Sequence, residues 1–225
     1  MLGTLINAVA VIAGSLVGLG IHAKLPKKIT TITFQGIGLF TLFLGVYMAS
    51  QTNELLLMIF SIVVGSIIGE WIDIDKYLNR LGDNLKKRIG SDNSKFSEGF
   101  ITAFMLFCVG SMTILGAIEE GLGGKPNLLL AKSVLDGFSS IALGAALGIG
   151  VLFSAIPLLL FQGGLTLFAG YLENILSTAI ITELSAVGGL LLIGMGLNIL
   201  EIKKLKITNM LPSLLVIVIL AYFFA

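Results

Sequence analysis

Stretches of about twenty apolar residues follow one another along almost the whole chain, and nothing else constrains its fold as strongly. A helix needs about 20 such residues to cross a hydrocarbon core about 30 Å thick. In lipid, only helices and closed barrels leave no backbone group unpaired. Runs of that size fall at 2–22, 30–50, 54–72, 99–118, 180–200 and 207–225. The stretch from Leu128 to Leu176 is 49 residues, too long for one crossing. Dividing it near Gly150 gives helices at 128–149 and 152–174. The expectation is an all-α, polytopic membrane protein with eight transmembrane helices in a single domain, 1–225. Within it, 1–72 and 151–225 each hold three helices, 97–150 holds the fourth and fifth, and 73–96 forms a cytoplasmic amphipathic loop.

Composition removes the competing classes. Charged residues make up 12% of the chain, against about 25% in soluble domains. A net charge of +1 gives no field that would draw nucleic acid. Cys108 is the single cysteine and His22 the single histidine. No disulfide, cysteine-based metal site or nucleophile–histidine pair can therefore be assembled. No phosphate-cradling motif is present, so neither an enzyme nor a bound cofactor is expected.

Orientation follows from Lys and Arg. Lys24, Lys27 and Lys28 follow the first helix, Lys76, Arg80, Lys86, Lys87, Arg88 and Lys95 the third, and Lys203, Lys204 and Lys206 the seventh. Loops on the other side hold Lys125 alone, and Lys132 lies within the fifth helix. The positive-inside rule then puts the odd loops in the cytoplasm of a bacterial inner membrane, with both termini outside. The first segment, Met1-Leu2-Gly3-Thr4 onward, has no basic leader region and reads as a retained helix. Trp71, Ile74, Leu78, Leu81, Leu85 and Ile89 share one helical face, as expected of a helix lying on the membrane surface or docking a partner domain.

A shift of 151 positions lays residues 2–72 over the last three helices without a gap. It matches Gly38 to Gly189, Gly45 to Gly196, Phe40 to Leu191 and Met48 to Ile199. Each helix is matched to the one five crossings later, an odd number, so a true repeat is inverted, as in many secondary transporters. Chance coincidence of Gly and Leu in apolar helices is the competing reading. Gly14-Ser15 with Gly18, Gly65-Ser66 with Gly69, and Gly188-Gly189 with Gly194 and Gly196 read as faces for close helix packing, within or between subunits.

Polar groups inside apolar runs are the candidate site. At 1.5 Å per residue, Asp136 lies about 12 Å into the fifth helix, close to the midplane. An acid there is costly unless paired, protonated or hydrated. Lys132, one turn earlier, offers a structural ion pair; if its stem reaches outward instead, Asp136 is free to bind a cation or carry a proton. Ser111 and Thr113 interrupt the fourth helix, and Gly116 to Gly124 with Glu119 and Glu120 closes it. Either a broken helix beside a cavity or an ordinary helix end fits that pattern. Asn7, Gln35, Gln162 and Asn198 suit interhelical hydrogen bonds. Glu70, Glu173 and Glu183 lie near helix ends and are expected to be hydrated, and Pro157 and Pro212 are expected to kink their helices.

At Val109-Gly110-Ser111-Met112-Thr113-Ile114-Leu115-Gly116, Gly121-Leu122, Lys132-Ser133, Leu135-Asp136-Gly137-Phe138, Gln162-Gly163, Gly196-Leu197-Asn198-Ile199-Leu200 and Asn209-Met210-Leu211-Pro212, the chain resembles the YqgA/YdfK-type bacterial membrane proteins, a family of unknown function. Glu119-Glu120 departs from the Gln or Asn followed by Asp expected there. The resemblance implies an inner-membrane protein and supplies no substrate. The leading expectation is a secondary transporter of a small polar or charged solute or ion, working in the lipid bilayer as a homo-oligomer. Its site would draw on Asp136, Lys132, Ser111, Thr113, Glu120, Gln162 and Asn198. A channel, or a scaffold or sensor subunit, is the alternative.

Overall fold

The computed structural model describes residues 1–22, 27–77, 80, 84, 87, 95–108, 111–172 and 176–224. Their regular structure is all helical, with no strand among them. The helices are α1 (Leu2–His22), α2 (Lys27–Ala49), α3 (Leu55–Ile72), α4 (Phe96–Cys108), α5 (Ser111–Gly121), α6 (Asn127–Leu147), α7 (Gly150–Phe153), α8 (Ala155–Leu167), α9 (Ala169–Leu172), α10 (Thr178–Ile199) and α11 (Ser213–Phe224). A 3-10 turn, Ile207–Met210, precedes α11.

By length and composition, six segments among the described residues can cross a membrane: Leu2–Ile21, Leu55–Ile72, Asn127–Leu147, Gly150–Leu167, Thr178–Ile199 and Ile207–Phe224. A seventh arises if α4 and α5, bent by 60° to one another, count as one broken span. Gln35–Ala49 is a shorter apolar helix. The break expected near Gly150 falls at Gly148, which takes φ 80° where α6 ends. The prolines act differently from expectation. Pro157 sits in the first turn of α8 and Pro212 immediately before α11, where a missing N–H and a fixed φ suit a helix start.

The chain divides into two compact units, Met1–Phe34 with Gly82–Glu173, and Gln35–Leu81 with Asn174–Ala225. Each draws helices from both expected three-helix sets. In the first unit α1 packs along α6 and also meets α8. The buried face of α1 is small or polar: Gly3, Thr4, Asn7, Ala8, Val11, Gly14, Ser15 and Gly18 recur every three or four residues. A Cβ at Gly14 would overlap Ser140 Oγ and the Gly137 carbonyl, and one at Gly18 the Ile141 carbonyl. The backbones therefore touch, which is how helices gain contact energy where lipid removes the hydrophobic drive.

In the second unit α10 is buried over most of its length and packs with α3 and α11 around Met58, Ala186, Val187 and Ile217. Its contacts with α2 run antiparallel and come in matched pairs. A Cβ on Gly45 would lie 2.7 Å from Ile193 N, and one on Gly196 2.7 Å from Leu42 Cγ. A Cβ on Gly189 would lie 2.5 Å from Ala49 N, and one on Gly38 2.6 Å from Leu200 Cγ. Adding 151 to one member and subtracting it from the other converts each contact into its counterpart. Such exchange is what a two-fold axis perpendicular to the pair produces. Between α3 and the start of α11, a Cβ on Gly65 would overlap the Ser213 backbone and one on Gly69 the Asn209 carbonyl.

Of the expected surface helix, residues 74–77, 80, 84 and 87 are helical, while Trp71 belongs to the last turn of α3, which closes at Asp73 in the left-handed region, φ 59°. Trp71 is 89% exposed. Leu78, Leu81, Leu85 and Ile89 lie outside the described residues.

Candidate functional site

The first unit gathers its polar side chains where α1, α6 and α8 meet, with α5 closing one end. Lys132 and Asp136, one turn apart on α6, are joined by a 2.5 Å contact from Nζ to Oδ2, and both side chains are 8% exposed. Asn7 on α1 donates from Nδ2 to the same Oδ2 at 3.0 Å and to Gln162 Oε1 on α8 at 3.0 Å. Both hydrogen bonds to the carboxylate thus end on one oxygen. Asn7 and Gln162 are fully buried. Asn7 Oδ1 and Gln162 Nε2 have no hydrogen-bond partner.

One turn toward the start of α1, Glu120 of α5 accepts from Gly3 N at 2.7 Å, Thr4 N at 3.4 Å and Thr4 Oγ1 at 3.2 Å, with the Met1 ammonium at 3.0 Å. The first N–H groups of a helix lack intrahelical partners and carry partial positive charge. Glu120, expected as a ligand, therefore serves as a cap delivered from another helix. Thr4 and Thr166 place their hydroxyls 3.2 Å apart, which links this cap to α8 one turn beyond Gln162. Asp136, Lys132, Gln162 and Glu120 are thus joined through α1.

The other expected site residues stand apart. Thr113 is buried, and its hydroxyl donates to the Phe107 carbonyl at 3.0 Å, tying α5 to α4 across their bend. The Ser111 side chain lies outside the described residues. Asn198 belongs to the second unit, where its amide donates to Leu205 O at 2.8 Å and accepts from Leu205 N at 2.7 Å. Both ends of that side chain hold the turn after α10.

Glu183 corrects the expectation of a hydrated side chain. It is 1% exposed and accepts from Thr52 Oγ1 at 2.5 Å and Asn53 N at 2.8 Å, holding the entry to α3. A single chain position near a helix end does not show that another loop folds over it. Glu70, in contrast, is exposed and pairs with Lys206, while Asn209 Nδ2 donates to its other oxygen at 2.6 Å. Glu173 lies outside the described residues. Among the described residues, the buried side-chain atoms without a partner, Asn7 Oδ1, Ser15 Oγ, Glu119 Oε2 and Gln162 Nε2, are all in the first unit. Among the described residues, no group of three or more His, Cys, Asp or Glu side chains is placed to hold a metal ion.

Comparison with known proteins matches residues 2–222 to the family described as a protein of unknown function (DUF554). The uncharacterized membrane protein YdfK of Bacillus subtilis (strain 168) is 38% identical over 221 residues, which is 96% of this chain and 93% of the relative. The uncharacterized protein YqgA of Escherichia coli (strain K12) is 34% identical over 220 residues, 96% of this chain and 94% of the relative. No solved structure matches the chain. The chain belongs to the DUF554 family.

Proposed function

We propose that this family member is a secondary transporter of a small polar or charged solute, with the Asn7–Lys132–Asp136–Gln162 cluster as its site. One observation carries the reading. An ion pair and two amides are buried together inside an apolar unit, and the amides leave an acceptor and a donor unsatisfied. Ionisable groups at membrane depth are costly and mark substrate or ion pathways more often than not. A cluster kept solely for packing would close its own hydrogen bonds. In the proposed arrangement eight segments cross the bacterial inner membrane, the seven candidates and the helix containing Gln35–Ala49, with both termini outside. The exchange-related contacts of α2 and α10 support an inverted repeat, the architecture in which secondary transporters build midplane sites. Homo-oligomeric assembly belongs to the same reading.

A structural scaffold is the competing reading, favoured by the direct pairing of Lys132 with Asp136, which neutralises both without a solute. Cysteine accessibility separates the two. In a Cys108→Ser background, Asp136→Cys is expected to react with membrane-impermeant thiol reagents, from each side in turn as the transport cycle is driven. A folded variant inert from both sides in every condition sinks the transport reading and leaves the scaffold.

A further inference from the structure

The donors around Asp136 outnumber what its carboxylate uses, and they define the charge of what the site takes. Lys132 Nζ and Asn7 Nδ2 converge on Oδ2, while Gln162 Nε2, fully buried, has no acceptor at all. Three nitrogen donor groups from three helices thus belong to one hydrogen-bonded cluster whose one anion is the protein's own. A single carboxylate among nitrogen donors is a poor match for a metal or sodium ion, which needs converging oxygens, and the donors suit a second anion once Asp136 is neutral. The unsatisfied acceptor has a place in the same scheme. A protonated aspartic acid must donate its O–H; rotation of the Asn7 amide brings Oδ1 to the position held by Nδ2, and the Gln162 amide, whose Oε1 accepts from that Nδ2, turns with it so that one Nε2 hydrogen meets Oδ1 and the other stays available.

Charge balance sets the stoichiometry. Lys132 and Asp136 together carry no net charge. An anion entering alone makes the buried cluster negative and a proton alone makes it positive, and isolated buried charge is costly either way. The two together leave it neutral. We infer that the cluster binds one small monovalent anion together with one proton: the proton adds to the Asp136 carboxylate, and the anion takes the carboxylate's place on Lys132 and accepts from Gln162 Nε2, which has no acceptor of its own. This deepens the transport reading and rests on it for movement, though not for binding. The other ionisable groups near the cluster are few. Cys108 on α4 is in electrostatic reach of both Lys132 and Asp136. Glu120 on α5 is held with the Met1 ammonium at the start of α1. Apart from His22 at its far end, α1 carries no ionisable side chain, and α8 carries none.

Asp136→Asn reproduces the shape of the protonated acid and leaves Lys132 without its counter-ion. Thermal unfolding of the full chain in detergent, at constant ionic strength with sodium nitrate, sodium formate or the bulky sodium gluconate, reads the result. Nitrate or formate is expected to raise the unfolding temperature of Asp136→Asn saturably at neutral pH. The unsubstituted protein is expected to respond only as the pH falls, and the Lys132→Met, Asp136→Asn double variant not at all. Nitrate against formate separates an inorganic oxyanion from a carboxylate as the preferred class. An identical response of folded Asp136→Asn to all three salts overturns the inference. If that variant does not fold, proton uptake by the unsubstituted protein decides: addition of nitrate or formate at mildly acidic pH takes up one proton per anion bound, and no uptake overturns the inference. In vesicles carrying an internal pH dye, an inward nitrate gradient is expected to acidify the lumen. Anion binding without any flux sinks the transport reading alone, while flux of a neutral or cationic solute without anion binding sinks this inference alone.

Discussion

Removing Lys132 while keeping Asp136 tests whether the pair is coupled as tightly as its geometry implies. In Lys132→Met the carboxylate keeps one hydrogen bond, from Asn7, and otherwise faces a buried surround. Two estimates of the cost agree. Breaking a buried ion pair by deleting one partner destabilises by about 3–5 kcal/mol. The acid's escape is to take a proton, which from an ordinary value near 3.9 costs about 4 kcal/mol at pH 7, at about 1.36 kcal/mol per unit. The penalty is therefore expected to shrink by about 1.4 kcal/mol for each unit the pH is lowered, because the folded variant then binds a proton that the unfolded chain does not. The double variant Lys132→Met, Asp136→Leu removes both charges and is expected to unfold within about 1 kcal/mol of the unsubstituted protein, or above it. Reversible unfolding in mixed detergent micelles, run as a double-mutant cycle across pH, measures all three. A single-variant cost that does not change with pH, or a double variant as unstable as Lys132→Met, would refute the reasoning. The double variant also separates stability from function, since it is expected to fold well and move nothing.

Four further outcomes follow from the packing and the polar contacts. Gly45→Val and Gly196→Val are each expected to destabilise by about 1–3 kcal/mol, the first by more, because a Cβ at Gly45 meets the backbone of Gly189 and Ile193 where one at Gly196 first meets the Leu42 side chain. Gly164→Ala, open on all sides, is expected to be neutral or to stabilise by about 0.5–1 kcal/mol; unfolding free energies of the three decide it. Glu183→Ala leaves Asn53 N–H and Thr52 without their acceptor, at an expected cost of about 1–3 kcal/mol, read in the same assay. Glu70, by its hydrogen bond and then its charge, with Asp73 and Asp75 nearby, raises Lys206 above the ordinary lysine range. A raised lysine stabilises the fold below its unfolded value and loses that contribution as pH climbs through the folded one. The gap in unfolding temperature between the unsubstituted protein and Lys206→Met, small for so exposed a pair, is expected to close over that alkaline range; a gap that widens there contradicts the assignment.

The helices and their class were legible in the residues because lipid demands long apolar runs and leaves the backbone no alternative to internal hydrogen bonding. The close helix contacts were legible too, since Gly14, Gly18, Gly65, Gly69 and Gly189 read directly as places where a Cβ has no room. Lys132 and Asp136 were recognisable as a pair because a spacing of four on one helix puts them on the same face. What joined them to Asn7 on α1 and Gln162 on α8 was not legible. The partners are separated by 129 and 155 positions, and no local spacing encodes which turn of one helix meets which turn of another. For the same reason the bonds of Glu120 to Gly3 and Thr4 and of Asn198 to Leu205 could not be read from spacing, and Glu183 looked exposed until the loop at Thr52 and Asn53 covered it. Local sequence therefore determined which segments are helices and which faces pack, because those depend on period and side-chain size. Which polar atoms are satisfied and which are left over was decided by tertiary structure alone, because a hydrogen bond depends on where two distant atoms come to rest.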